Sequence, residues 1–156
     1  MILYHSSNQA IELPDTAHSR DYLDFGKGFY LTSLREQAVK YAQRFSRRGQ
    51  AAWLNAYELS LTPTEWKVIQ FESYDRDWLD FISKCRAGID DSDYDIVIGG
   101  IANDKVIFTL DRYFAGELSA EATLGILKFE KPNNQYCIRS QRLIDDCLTH
   151  LSSTRL

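Results

Sequence analysis

Phe25-Gly26-Lys27-Gly28-Phe29-Tyr30-Leu31 is the stretch on which the reading turns. Two glycines stand at the entrance of an aromatic and apolar run, as they do where a chain must turn tightly before a strand. A phosphate-cradling loop would need GxxxxGK[ST] or GxGxxG ahead of a helix; here the third glycine is absent and a strand follows. The segment therefore fits a tight turn into a strand better than a nucleotide-phosphate loop.

Working outward, residues 2–4 form a short apolar run that opens a first strand, and 6–24 is a polar loop carrying Pro14. On the other side, Thr32 or Ser33 fits an N-cap, because Glu36 stands three residues after Ser33 as a capping box requires. Ala38, Tyr41, Ala42 and Phe45 then recur at helical spacing, predicting a helix over 34–47 that ends in Arg44, Arg47 and Arg48 before Gly49. Strands are predicted over 51–61, up to Thr62-Pro63, and over 66–71, and a helix over 75–86 with Trp78, Leu79, Phe81, Ile82 and Cys85 on its stripe. A buried strand at 94–98, helices at 104–115 and 119–129, a short strand at 136–138 and a last helix at 141–151 complete the chain. The sum is a single α+β domain.

The 156 residues suffice for one core, and 44% hydrophobic with 26% charged residues is a globular profile that excludes disorder and coiled coil. A net charge of −4 argues against a protein devoted to neutralising phosphate backbones, while leaving room for a local basic patch. Cys85, Cys137 and Cys147 are odd in number and lack CxxC spacing, so they read as reduced thiols. His18 and His150 have no partners at metal spacing, and no metal is expected. No apolar run reaches the ~18 residues of a membrane span. The start, Met1-Ile2-Leu3-Tyr4-His5, lacks a signal peptide's basic n-region, so a cytoplasmic protein without membrane contact is expected. The run Asp90-Asp91-Ser92-Asp93 reads as a solvated turn, and His5, at the end of an apolar strand, as either a structural or a cleft-facing histidine.

At Leu3-Tyr4-His5-Ser6-Ser7 and again from Phe25 to Tyr30, the chain resembles the ADP-ribosyltransferases of the diphtheria-toxin and poly(ADP-ribose) polymerase type. That class opens its NAD site with an LxHGS-like strand end, continues with an FGKGIYF-like strand and places a second tyrosine one helix further on. Tyr41 stands eleven positions after Tyr30, at that interval. The class's glutamate, within NEYIVY-like wording, falls where this chain has Asn133-Asn134-Gln135-Tyr136-Cys137-Ile138, so Gln135 takes its place. The chain also resembles a bacterial family of small proteins with YHGS, DFGKGFY and NNQY segments, from Ile2 to about Leu148.

The resemblance implies a split antiparallel β core with surrounding helices and NAD as substrate. It implies that His5 bonds a ribose hydroxyl of the adenosine half, that the backbone of Ser6 holds the nicotinamide amide, and that Ser7 supports the strand end. Tyr30 and Tyr41 would sandwich the nicotinamide, Gly28 and Ala38 would line its site, and Arg20 in the 8–24 loop would meet the pyrophosphate beneath that loop as a lid. Ala38 stands where the polymerases have a serine, removing one bond to the amide, and Ser6 replaces a glycine. Gln135 can bond a ribose hydroxyl but carries no charge to set against the oxocarbenium that develops there. Glu130 or Asp104 could supply it; their alternatives are a surface glutamate beside Lys128 and Lys131 and a helix N-cap.

The expectation is a mono-ADP-ribosyltransferase with a protein or nucleic-acid target, of bacterial toxin or effector kind, with an antitoxin as a possible inhibiting partner. The alternatives are a degenerate NAD- or nucleotide-binding sensor or adaptor, and an interaction module whose cleft binds no ligand.

Overall fold

A computed structural model describes residues 1–62, 65–100, 103–132 and 134–156, with the Asn134 side chain left aside. Pro63 and Asn133, which the sequence places at a strand end and in the NNQY segment, lie outside the described residues. The elements run β1 (Ile2–Ser7), β2 (Phe29–Thr32), α1 (Arg35–Arg47), β3 (Trp53–Leu59), β4 (Val68–Gln70), α2 (Arg76–Ala87) and β5 (Ile96–Gly100). They continue with α3 (Asp104–Phe114), α4 (Ala120–Leu127), β6 (Asn134–Ile138), α5 (Gln141–Cys147) and β7 (Leu148–Arg155).

The seven strands form one sheet in the order β4-β5-β6-β2-β1-β3-β7. It is mixed rather than wholly antiparallel, because β4 and β5 pair in parallel while every other neighbouring pair is antiparallel. The connection explains this: α2 lies between β4 and β5, and a helix crossover returns the chain in the same direction. At the centre, β1 and β2 share a single residue pair, Tyr4↔Thr32, whereas β1 and β3 pair along all six residues of β1. The sheet is thus loosely joined between β1 and β2.

Side chains alternate across the sheet. One face buries Leu3, Phe29, Leu31, Tyr57, Tyr136 and Ile138 against Leu143, Ile144 and Cys147 of α5. The other buries Phe25, Val97 and Cys137 against Trp78, Leu79 and Ile82 of α2, Val106 and Leu110 of α3 and Leu127 of α4. α2 shows why its segment is helical: Asp75 caps it by accepting from the Trp78 N–H at 3.0 Å, Trp78, Leu79, Ile82 and Cys85 of its stripe are buried, and Gly88 ends it at φ 72°.

Three local expectations need correction. The Ser33–Glu36 capping box does not form; Leu34 occupies the N-cap of α1 without a side-chain cap, and Thr32 Oγ1 instead accepts from the Leu34 N–H and donates to Gln37 Oε1. The last helix stops at Cys147 rather than 151, and 148–155 is an edge strand on β3. Thr149 and Ser152-Ser153-Thr154 favour that outcome, since hydroxyl and β-branched side chains compete poorly in helices. Asn103, not Asp104, caps α3 through Val106 N–H. All three cysteines are buried and free.

Candidate functional site

His5 stands opposite Asn55 of β3, near the end of β1. Its Nδ1 donates to the Tyr30 carbonyl at 2.6 Å and its ring lies 4.4 Å from that of Phe29. Burial pulls the imidazole below its ordinary pKa, against the pull of the Tyr30 carbonyl, so the ring is neutral at pH 7 with Nε2 as a lone-pair acceptor. Among the described residues Nε2 has no partner, and the only sealed side-chain nitrogen or oxygen without one is Trp66 Nε1. Nε2 thus keeps a lone pair that no described residue engages.

The Tyr4↔Thr32 pair sets Tyr4, Ser6, Tyr30 and Thr32 on the sheet face opposite His5. On that face Ser6 is buried, its hydroxyl donating to the Ala38 carbonyl of α1, so Ser6 and Ala38 meet. β2 and β6 set Thr32 against Gln135 and Tyr30 against Cys137; on β6's other side Gln135 faces Gly99. Gln135 is half-buried, and its amide has no hydrogen-bond partner among the described residues. Ser6, Thr32, Ala38 and Gln135 thus gather where β1, β2, β6 and α1 converge, next to a 360 Å³ hollow lined by Ser33, Leu34, Arg35, Glu36 and Gln37.

Other expected residues have structural duties. The Tyr30 hydroxyl donates to the Gly26 carbonyl at 2.5 Å and accepts from the Phe25 N–H at 3.1 Å, and burial raises its pKa. A Cβ on Gly28 would lie 2.6 Å from both Cys137 Sγ and the Ile138 carbonyl, so glycine is required for β2 to approach β6. The Ser7 hydroxyl closes a turn with Asn8 and Gln9. Tyr41 is 48% exposed, edge-on to Phe45 and 4.7 Å beneath the Arg44 guanidinium, with no contact to Tyr30 among those described. Arg20 is exposed and has no ion pair among the described residues.

Neither candidate carboxylate is free. Glu130 accepts from Lys105 at 2.9 Å and Asn103 at 3.1 Å, and both bonds lower its pKa. Asp104 is almost fully exposed, and its one described contact is with Lys40 of α1 at 3.9 Å. A contact between such exposed groups is worth under about 1 kcal/mol.

The 8–24 loop is fastened rather than hinged. Asn55, fully buried, accepts from Ile11 N–H and donates to the Gln9 carbonyl; Tyr57 donates to Ile11; Thr16 N–H donates to Gln141; Ser19 accepts from Gly28 N–H. Tyr22, at φ 63°, seats its ring where a Cβ on Gly88 would be, and Asp24 pairs with Arg86. Asn55 was not foreseen; a lone Asn in an apolar strand, Trp53-Leu54-Asn55-Ala56-Tyr57, was its one signal. A 740 Å³ cavity opens elsewhere, among β4, α2 and the 90–94 turn, walled by Glu72, Asp77, Asp80 and Asp91. Those charges disfavour an anionic nucleotide there.

No described group of three His, Cys, Asp or Glu is placed to hold a metal, and no described helix is long and apolar enough to cross a membrane. The chain belongs to the family described as protein of unknown function (DUF3990), whose profile matches residues 1–150. No curated protein matches the sequence.

Proposed function

We propose that this DUF3990 chain is an NAD-dependent mono-ADP-ribosyltransferase whose site straddles the loose β1–β2 junction, with Gln135 on the α1 side and His5 on the other. The observation that carries the reading is the register. It sets Gln135 opposite Thr32, on the face where Ser6 touches Ala38, while His5 of the adjoining β1 turns to the other face and bonds across the junction to the Tyr30 carbonyl. The weak β1–β2 junction supports a split core of the transferase kind.

In this reading the bond between the ribose anomeric carbon and the nicotinamide nitrogen breaks, its electron pair neutralising the pyridinium. An acceptor oxygen or nitrogen then bonds that carbon and releases its proton to solvent. Neutral His5 accepts from an adenosine ribose hydroxyl through Nε2. Gln135 orients a ribose hydroxyl on the nicotinamide side, and the Ser6 backbone fixes the leaving amide. Tyr30 contributes its ring edge, since its hydroxyl is engaged, and Tyr41 closes the rim.

One observation favours a second reading, a module that holds NAD without turning it over. Gln135 has no charge, and Glu130, the nearest acid in sequence, is already committed to Lys105 and Asn103.

Incubation of the protein with NAD labelled in its adenylate half, with and without cell extract, separates the two. The transferase reading expects nicotinamide release and macromolecular label, lost in His5→Ala. Release only from Gln135→Glu would establish the binding module. No NAD binding by either protein would overturn both.

A further inference from the structure

The chain is acidic overall, yet residues 35–48 carry Arg35, Lys40, Arg44, Arg47 and Arg48 against Glu36, a net +4 within a total of −4 that leaves −8 for the remainder. Lys40, Arg44, Arg47 and Arg48 recur at i, i+4, i+7 and i+8, which at 100° per residue confines them to one side of α1. All four are exposed. Of the seven arginines outside this segment five are spent on carboxylates, Arg76 on Asp80, Arg86 on Asp24, Arg112 on Glu117, Arg139 on Asp90 and Arg142 on Asp146, and the other two, Arg20 and Arg155, stand apart from one another rather than in a row. Arg44, Arg47 and Arg48 have no such partner among the described residues, and Lys40 has only the 3.9 Å contact with Asp104. The helix dipole accounts for cations in the last turn but not for Lys40, mid-helix.

An aromatic ring completes the surface. Tyr41, 48% exposed, lies beside this row with the Arg44 guanidinium over its face. Cations in a row with an exposed ring are what a single strand of nucleic acid needs, charge for the phosphates and a flat face for a base. A lipid surface fits less well, because the apolar side of α1, Ala38 and Ala42, is already buried against the sheet and nothing apolar is left to insert. The row starts at Lys40, one helical turn beyond Gln37, whose side chain meets Thr32 opposite Gln135. It therefore leads away from the mouth of the proposed site.

We infer that this side of α1 binds single-stranded nucleic acid and presents it to the cleft as the acceptor of ADP-ribose, an acceptor role that rests on the transferase reading above. Binding is read by the fluorescence anisotropy of a labelled 20-nucleotide single strand of mixed sequence, as DNA and as RNA, between 50 and 200 mM salt. Transfer is read in parallel with adenylate-labelled NAD.

Arg47→Glu/Arg48→Glu is expected to lose at least tenfold in affinity. The slope of log affinity on log salt should fall by about 1.4, two contacts on a single strand. Lys128→Glu/Lys131→Glu, with the same change in net charge, should stay within threefold of the native protein and show that the loss belongs to α1. Label on the oligonucleotide should drop with affinity, while nicotinamide release without oligonucleotide is unchanged.

No binding at 50 mM salt, equal loss in both double variants, preferential capture by phosphatidylserine vesicles, or label on protein in place of the oligonucleotide would each overturn the inference. Absence of nicotinamide release from native protein that still binds the strand would remove the acceptor role through the transferase reading, while the affinity data would still decide the surface.

Discussion

Replacing Tyr30 with Phe separates what its hydroxyl does from what its ring does. The hydroxyl is the partner of two backbone groups, the Gly26 carbonyl at 2.5 Å and the Phe25 N–H at 3.1 Å, in a turn whose Phe25 side chain is fully buried. Removing it leaves a donor and an acceptor without their partner at the entrance of β2, and each buried orphan costs about 1–3 kcal/mol. Partial access of water to the turn brings the expected sum to about 2 kcal/mol, or a fall in Tm of about 4–8 °C for a chain of this size. Urea unfolding followed by tryptophan fluorescence measures it, with an unchanged m-value showing that the same surface is exposed. The ring remains, so NAD affinity should change less than threefold. A loss below about 0.5 kcal/mol, or intact stability with NAD binding abolished, would refute the assignment of the hydroxyl to the turn.

Gly28→Ala should destabilise by about 1–3 kcal/mol, because the new methyl meets the Ile138 carbonyl at 2.6 Å and backbone cannot yield cheaply; calorimetry reads the shift. Asp90→Asn should lose about 3 kcal/mol in urea unfolding, since Arg139, 15% exposed, keeps its charge and loses its 2.6 Å partner. His5 gives a pH signature. Its folded pKa is lowered, so the unfolded state binds the proton more readily; the contribution is intact above about pH 6.5 and is lost as pH falls toward the folded value, by up to about 1.4 kcal/mol per pH unit. His5→Asn should flatten stability against pH between about 7 and 5, and an unchanged slope would contradict the burial of the ring.

Segments with strong local signals were legible in the sequence. The stripe from Trp78 to Cys85 spells out α2 by its period, and the structure returns the helix, with Asp75 just outside it as the cap and Gly88 as the stop. The glycine pair before Phe29 reads correctly as a turn into a strand. The end of the chain did not, because Leu148 and Leu151 continue the helical spacing of Leu143, Ile144 and Cys147, and only pairing with β3, a contact some ninety residues distant, favours the strand. The parallel pairing of β4 and β5 is likewise a property of the crossover, not of either segment alone. The meetings of Ser6 with Ala38 and of Gln135 with Thr32 come from helix packing and strand register, which no residue spacing states. The engagement of the Tyr30 hydroxyl, of Glu130 and of the 8–24 loop depends on tertiary partners that no spacing reveals.

The junction of β2 with β6 joins residues more than a hundred positions apart, Phe29 with Ile138 and Thr32 with Gln135. Loop closure over that distance is slow and is rewarded only once it is complete. β1, β2, α1 and β3 all belong to the first 59 residues and can associate while the chain is still emerging, but the cleft has no second wall until β6 arrives. Under the proposed function ligand binding requires β6, so a nascent or prematurely ended fragment would carry the histidine and tyrosine motifs without the Thr32–Gln135 pairing.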